Sequence, residues 1–263
     1  MKAGTTSLYK YLAGHPDLYP SPKKEPRVFR EAGGPDDQRA KLLALFEGRR
    51  AERWCFEGST AYTKYPIVQG VPRRIASAVP DAQFVYLVRN PVDRTWSQYV
   101  HNVAHGREVR PFARAVVECP QYLEISRYYM QLQQYYEVFP PDRVLVQVFE
   151  EMVKDPVVVV RAICDFLGVS CSYRPPNESV AYNASKEKRV ASRSLRMMKT
   201  LGVEERVPWR VRRWLKAHGA PLPEKEMGLT PELRAQVAEA LRRDTEAFFG
   251  LVDRRIPSWS DFA

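Results

Sequence analysis

Residues 84–97 read Phe84-Val85-Tyr86-Leu87-Val88-Arg89-Asn90-Pro91-Val92-Asp93-Arg94-Thr95-Trp96-Ser97. The first five form a continuous apolar run of strand length, bounded by Pro80–Asp81 before and Arg89-Asn90-Pro91 after. A strand apolar at every position is buried on both faces, as in a parallel sheet covered by helices. Working outward, Arg143 to Phe149 is a second such run, and Arg53 to Glu57 is a short strand ending at Gly58. Helices alternate with them. Ser126 to Phe139 has apolar residues at helical spacing, and Asp155–Pro156 opens a helix running to Leu167. Thr230–Pro231–Glu232 is an N-cap with proline at the first helical position, opening a helix to about Phe249. Ser7 to Ala13 starts another, and prolines at 16, 20, 22 and 26 then impose an extended, turn-rich path. The order predicts one α/β domain over 1–263, with helices around a mostly parallel central sheet. In such sheets ligands bind where strands end and helices begin.

Composition narrows the classes. The chain has 263 residues, 44% hydrophobic and 27% charged, an ordinary globular balance that argues against disorder. No stretch approaches the roughly 18 to 20 consecutive apolar residues of a membrane span. No apolar signal core follows Met1, so a cytoplasmic location is expected. The four cysteines, at 55, 119, 164 and 171, lack zinc-type spacing and only four histidines accompany them. No metal is expected, and the thiols are read as reduced. Lys and Arg number 41 against 31 Asp and Glu, a net charge of +10 that points to an anionic partner. Residues 186–216 hold eleven basic side chains against three acidic ones. That run reads as a solvated face, or as a landing patch for a polyanion or a membrane surface.

Two segments have the form of anion sites. In Lys2-Ala3-Gly4-Thr5-Thr6-Ser7-Leu8 a glycine turn leads into hydroxyl residues that open a helix. Free backbone N–H groups and the helix dipole then converge on one point, beside the charge of Lys2. The nucleotide-hydrolase loop places its lysine after the glycines, whereas Lys2 precedes Gly4. In the second segment Arg89 ends the strand and Ser97 follows eight residues later in the opening turns of the next helix. One guanidinium fork and one hydroxyl suffice to orient a phosphate.

Together, K-x-G-T-T-S-L and an apolar strand running into R-N-P-x-x-R-x-x-S resemble the sulfotransferases that use 3′-phosphoadenylyl sulfate (PAPS). Lys24-Glu25-Pro26-Arg27-Val28-Phe29 is similar to the K-E-x-x-F-F segment of the carbohydrate (heparan-sulfate) branch, and Phe56-Glu57-Gly58-Ser59-Thr60-Ala61-Tyr62 to its F-E-K-S-x-x-Y. Arg143 to Gly168 resembles the later strand–helix unit of bacterial members. The resemblance implies a P-loop-like three-layer α/β/α fold and transfer of a sulfuryl group to a hydroxyl or amine. Lys2 then stabilises the leaving phosphate, and Ala3, Gly4, Thr5, Thr6 and Ser7 cradle the 5′ side. Arg89 and Ser97 hold the 3′-phosphate, Glu25 is the general base, and Ser185, Lys186 and Arg189 supply a late cofactor loop.

Three departures stand out. Gly58 replaces that branch's Lys, Arg27 replaces its His, and the hydrophobic strand that precedes K-x-G-T-T-S in the family is missing ahead of Lys2. The first two bear on the acceptor, expected to be a carbohydrate or glycosylated small molecule, already anionic if the basic surplus serves it. Nucleic acid is not an expected partner. Tyr62, Tyr65, Trp96 and Tyr99 lie near the motifs, where they either stack on an acceptor or belong to the core. The competing readings are a non-catalytic anion- or polysaccharide-binding module on a shortened fold, and a nucleotide kinase. Against the kinase stand the absent G-K-[ST] and the lack of an Asp at a strand end to hold Mg²⁺.

Overall fold

The computed structural model describes residues 2–175, 208 and 228–263. Its elements in chain order are α1 (Thr5–Leu12), β1 (Leu18–Pro20), α2 (Pro35–Ala44), β2 (Trp54–Phe56), α3 (Val71–Ala78), β3 (Phe84–Val88) and α4 (Pro91–Ala104). There follow α5 (Phe112–Glu118), α6 (Gln121–Glu124), α7 (Tyr128–Tyr136), β4 (Val144–Val148), α8 (Phe149–Lys154) and α9 (Pro156–Leu167), then α10 (Pro231–Leu251) near the C-terminus. Among the described residues all the pairing is parallel, as the buried runs predict. It forms two ladders rather than one: Leu18 to Pro20 against Trp54 to Phe56, and Phe84 to Val88 against Val144 to Val148.

Side-chain alternation along β3 builds the layers. Val85 and Leu87 point to one face, where they meet Leu8 and Leu12 of α1 and Val159, Val160 and Ile163 of α9. Tyr86 and Val88 point to the other, into a cluster made by α4, α5, α7 and α10 with Trp259 and Phe262. Phe84 joins this second side through Ile75 of α3 and Tyr135 and Phe139 around α7. Helices therefore cover both faces of the strands, an α/β arrangement.

Caps fix where the helices start. The Asn90 side chain accepts from the N–H groups of Val92 and Asp93 at 3.0 and 3.2 Å, with Pro91 next in line to open α4. Asp155 does the same for Val157 and Val158 ahead of Pro156, and α9 ends on left-handed Gly168. The Thr230 hydroxyl accepts from Leu233 N–H at 3.3 Å. Such caps are each worth about 1 kcal/mol.

Candidate active site

The Lys2–Ser7 segment forms the turn into α1. Gly4 has φ 81° and ψ 9°. A Cβ on it would lie 2.5 Å from Phe149 Cδ2 and 2.7 Å from Met152 Cε, so only glycine fits both the conformation and the space. The turn is thereby pressed onto α8 at the end of β4. Ala3 is buried with α1 and α9, Ser7 is buried, and Thr5 and Thr6 are half-buried. Unlike α4, α9 and α10, α1 has no side-chain cap, and no acidic residue stands in its first turn. Its leading N–H groups and the positive end of its dipole stay available to an anion.

Arg89 stands beside this turn. Its guanidinium donates to the Lys2 carbonyl at 3.4 Å and lies over the Phe149 ring, 4.9 Å from the centroid. Its backbone is pinned by Tyr128, whose hydroxyl donates to Arg89 O at 2.7 Å and accepts from Arg89 N–H at 3.2 Å. The Arg89 Nε is buried and has no hydrogen-bond partner. A buried donor without a partner costs about 1–3 kcal/mol, so an acceptor oxygen is favoured there. The two expected anion segments thus meet. Ser97 lies two turns along α4, buried.

Arg94, by contrast, is a strut. It is 1% exposed and donates to Gln98 Oε1 and the Tyr122 carbonyl, each at 2.5 Å, and to Ser126 Oγ. Burial lowers its pKa to about 10, so it stays charged at neutral pH. The turn before it is locked from the far end of the chain. Asn90 Nδ2 donates to Asp261 Oδ2 at 2.8 Å, and Arg234 grips both Asp261 oxygens at 2.7 Å and Asp93 Oδ1 at 2.8 Å.

Glu25 sits in a cage of donors. Its oxygens accept from Lys24 Nζ at 3.3 Å, Arg27 at 3.3 Å and the Thr60 hydroxyl at 3.1 Å. Burial pushes its carboxyl up, but the Lys24 charge and these hydrogen bonds outweigh it, and the net shift is downward. The cage is built from the F-E-G-S segment after β2. Glu57, pushed up by burial, accepts from Ser59 N–H at 2.6 Å, and Ser59 Oγ accepts from Arg27 N–H at 2.9 Å. That last bond helps to hold Arg27 at φ 63°, a conformation that costs a non-glycine residue about 1–2 kcal/mol.

Lys24 is the site residue that motif reading undervalues. Its Nζ also donates to Thr5 Oγ1 and to the Gly58 carbonyl, each at 3.3 Å. Its Cγ and Cε lie 3.5 and 3.6 Å from where a Gly58 Cβ would stand. The Lys24 chain thus runs past Gly58, and its ammonium bridges Glu25 to Thr5 of the anion turn. Lys64 is a second such residue. It lies near Glu25, Arg27 and Arg30, and burial lowers its pKa. Neither contact leaves a trace in local sequence.

Of the aromatics near the motifs, Tyr99 is buried and stacks on Trp96 at 5.3 Å, which makes them core. Tyr62 accepts from Phe29 N–H, and Tyr65 N–H is tied to Gln131. Ser185, Lys186, Arg189 and all of the 186–216 run except Pro208 lie outside the described residues. Among the described residues no helix is long and apolar enough to cross a membrane, and no cluster of three His, Cys, Asp or Glu is placed to hold a metal.

The sequence profile of the sulfotransferase family matches residues 39–173, a stretch that holds Arg89 and Ser97 and begins after Lys2 and Glu25. Over 179 residues the chain is 28% identical to mouse heparan sulfate glucosamine 3-O-sulfotransferase 6, covering 64% of this chain and 50% of that protein. Over 192 residues it is 27% identical to bovine bifunctional heparan sulfate N-deacetylase/N-sulfotransferase 2, covering 64% of this chain and 21% of that one. The chain thus spans half or less of the length of these relatives. The crystal structure of a sulfotransferase from Alicyclobacillus acidocaldarius superposes with a TM-score of 0.70 at 28% identity, covering 98% of this chain and 95% of that one. On the profile match and this geometry together, the chain belongs to the sulfotransferase family.

Proposed function

We propose that the protein transfers a sulfuryl group from PAPS to a hydroxyl or amine of a carbohydrate acceptor. The observation that carries this reading is the buried, unpartnered Arg89 Nε beside the uncapped start of α1, two anion-seeking features in one place. PAPS fits them, and when bound it supplies the activated sulfuryl group. Lys2 and the Gly4–Ser7 turn would hold its 5′ side, and Arg89 with Ser97 its 3′-phosphate. The predicted contacts of Ser185, Lys186 and Arg189 belong to the same reading.

Glu25 is the base. Held ionised by Lys24, Arg27 and Thr60, its carboxylate takes the acceptor's proton as the new bond forms. Lys24, touching both Glu25 and Thr5, balances charge between the base and the anion turn. Lys24, Arg27, Arg30 and Lys64 make the surroundings of Glu25 basic, which suits a saccharide that already carries anionic groups. The names of the heparan sulfate relatives support the same acceptor class. A cytoplasmic location is part of the reading, in keeping with four unpaired cysteines.

The test is calorimetric titration with adenosine 3′,5′-bisphosphate, with 5′-AMP as control. Micromolar binding of the bisphosphate alone is expected. Arg89→Ala should weaken it roughly 10- to 100-fold, the loss of a charge-assisted pair worth about 1.5–3 kcal/mol. Equal affinity for both nucleotides would overturn the assignment of Arg89 and Ser97.

A further inference from the structure

Phe149 opens α8 directly after β4, and its two neighbours fix where its ring stands. Val148 is buried at the end of the strand. The Glu150 carboxylate accepts from Asn90 N–H at 2.9 Å and from Trp259 Nε1–H at 3.2 Å. Asn90 follows Arg89, so the ring and the guanidinium grow from backbones tied to each other. One edge of the ring, Cδ2 and Cε2, fills the space where a Gly4 Cβ would stand. Over the ring lies Arg89, its Cζ 4.9 Å from the centroid. The Gly4 turn and Arg89, the two halves of the anion site, therefore rest on a single side chain.

The ring treats Arg89 differently from the way other arginines of the fold are treated. Arg94, five residues on, has each of its three nitrogens committed to an acceptor in the protein. Arg242 lies over Phe262 and Arg255 over Phe249, but both also donate to carboxylates, Glu239 and Glu246. Among the described residues Arg89 has no carboxylate partner. It donates once, to the Lys2 carbonyl at 3.4 Å, and its buried Nε has no acceptor. A carboxylate stabilises a guanidinium by occupying its N–H groups. A ring face attracts the cation through its quadrupole and leaves those groups for another acceptor.

We infer that Phe149 is a positioning residue for the anion site: its ring balances the Arg89 charge without occupying the Nε donor, which stays directed at a phosphate ester, and seats the Gly4 turn beside it. This role rests on the nucleotide reading above and adds to it the group that keeps Arg89 held in place yet unsatisfied. Tyr128 fixes the Arg89 backbone, and Phe149 fixes the end of its side chain.

The experiment titrates the full chain and its variants with adenosine 3′,5′-bisphosphate and, separately, with 5′-AMP, and reads the urea midpoint of each. Phe149→Leu keeps an apolar side chain without a ring. It is expected to lower the preference for the bisphosphate over 5′-AMP roughly 3- to 30-fold, the range of a cation–ring contact. Phe149→Tyr keeps the ring and should keep the preference. In an Arg89→Ala background, Phe149→Leu should leave the remaining preference unchanged. A general loss of packing would instead lower the urea midpoint and both affinities together, in either background. If Phe149→Leu folds poorly, Phe149→Met, unbranched and adaptable in shape, takes its place. An undiminished preference in a folded variant without the ring, or an equal loss with and without Arg89, would overturn the inference and leave the nucleotide reading standing. A wild-type chain with no preference for the bisphosphate would overturn that reading and the role of Phe149 with it.

Discussion

The two ladders differ in construction. β3 and β4 pair over five residues, and around them Tyr99, Leu241, Phe248 and Trp259 are buried in one continuous cluster. The charge in that half, Arg94, is sealed by three short hydrogen bonds. β1 and β2 pair over three residues only. The charge beside them, Glu25, is 27% exposed and held by contacts of 3.1 to 3.3 Å. The β3–β4 half is therefore the rigid holder, suited to gripping a nucleotide of fixed shape. The β1–β2 half keeps Glu25, the proposed base, within reach of water and of the proposed acceptor.

Arg94→Met should break the comparison most severely. It removes the donor from Gln98, Ser126 and the Tyr122 carbonyl in a dry environment, at a cost of about 1–3 kcal/mol for each acceptor left unpaired, read by urea unfolding. Next comes Glu25→Gln, which should slow turnover by about 10²- to 10⁴-fold while the urea midpoint and bisphosphate affinity hold. Glu25 is held below the ordinary carboxyl value of 4.5, and its base form persists above its folded pKa. The acid limb of the rate profile should therefore lie below pH 4.5. Loss of activity on acidification from pH 7 to 6 would point to a different base.

Gly4→Ala should cost about 1–3 kcal/mol, since its Cβ meets the Phe149 ring, and should weaken bisphosphate binding as well. The smallest effect belongs to Asp244, which accepts from the N–H groups of Tyr129 and Met130 at the start of α7. Burial raises its pKa to about 6. The folded state then binds the proton more tightly than the unfolded one. The stabilisation from that proton is full below pH 3.8 and is lost as pH rises through about 6. Asp244→Asn should flatten that part of the stability profile, read as urea midpoints at pH 5 and 8.

Much of the scaffold is legible because its signals are local. The run Phe84 to Val88 is β3 to the residue, and Asp155–Pro156 opens α9 where the cap predicts. β1 is hidden because three residues ending in Pro20 carry no periodicity, and only their pairing with Trp54 to Phe56 makes them a strand. In the site, Lys2, Gly4 and Arg89 announce themselves by spacing along the chain. Lys24 stands in the K-E segment, but the role of its ammonium is not legible there, because it reaches Thr5 and Gly58, residues 19 and 34 positions away. Arg94 stands among the motif residues of the strand-to-helix turn, yet the fold buries it as a strut. The locking of Asn90 by Asp261 joins positions 171 residues apart, beyond any local pattern.

Arg94 also has a kinetic consequence. Its acceptors are neutral, and among the described residues no carboxylate pairs with it, so its geometry is satisfied while its charge is not cancelled. The field passes through protein rather than water and is felt at Arg89, which Arg94 repels. A permanent positive potential therefore stands behind the mouth of the anion turn. Counter-ions screen the part of that field that reaches into solvent, but cannot come between Arg94 and an anion already seated at Arg89, so as ionic strength rises capture of the proposed nucleotide should slow more than its release quickens.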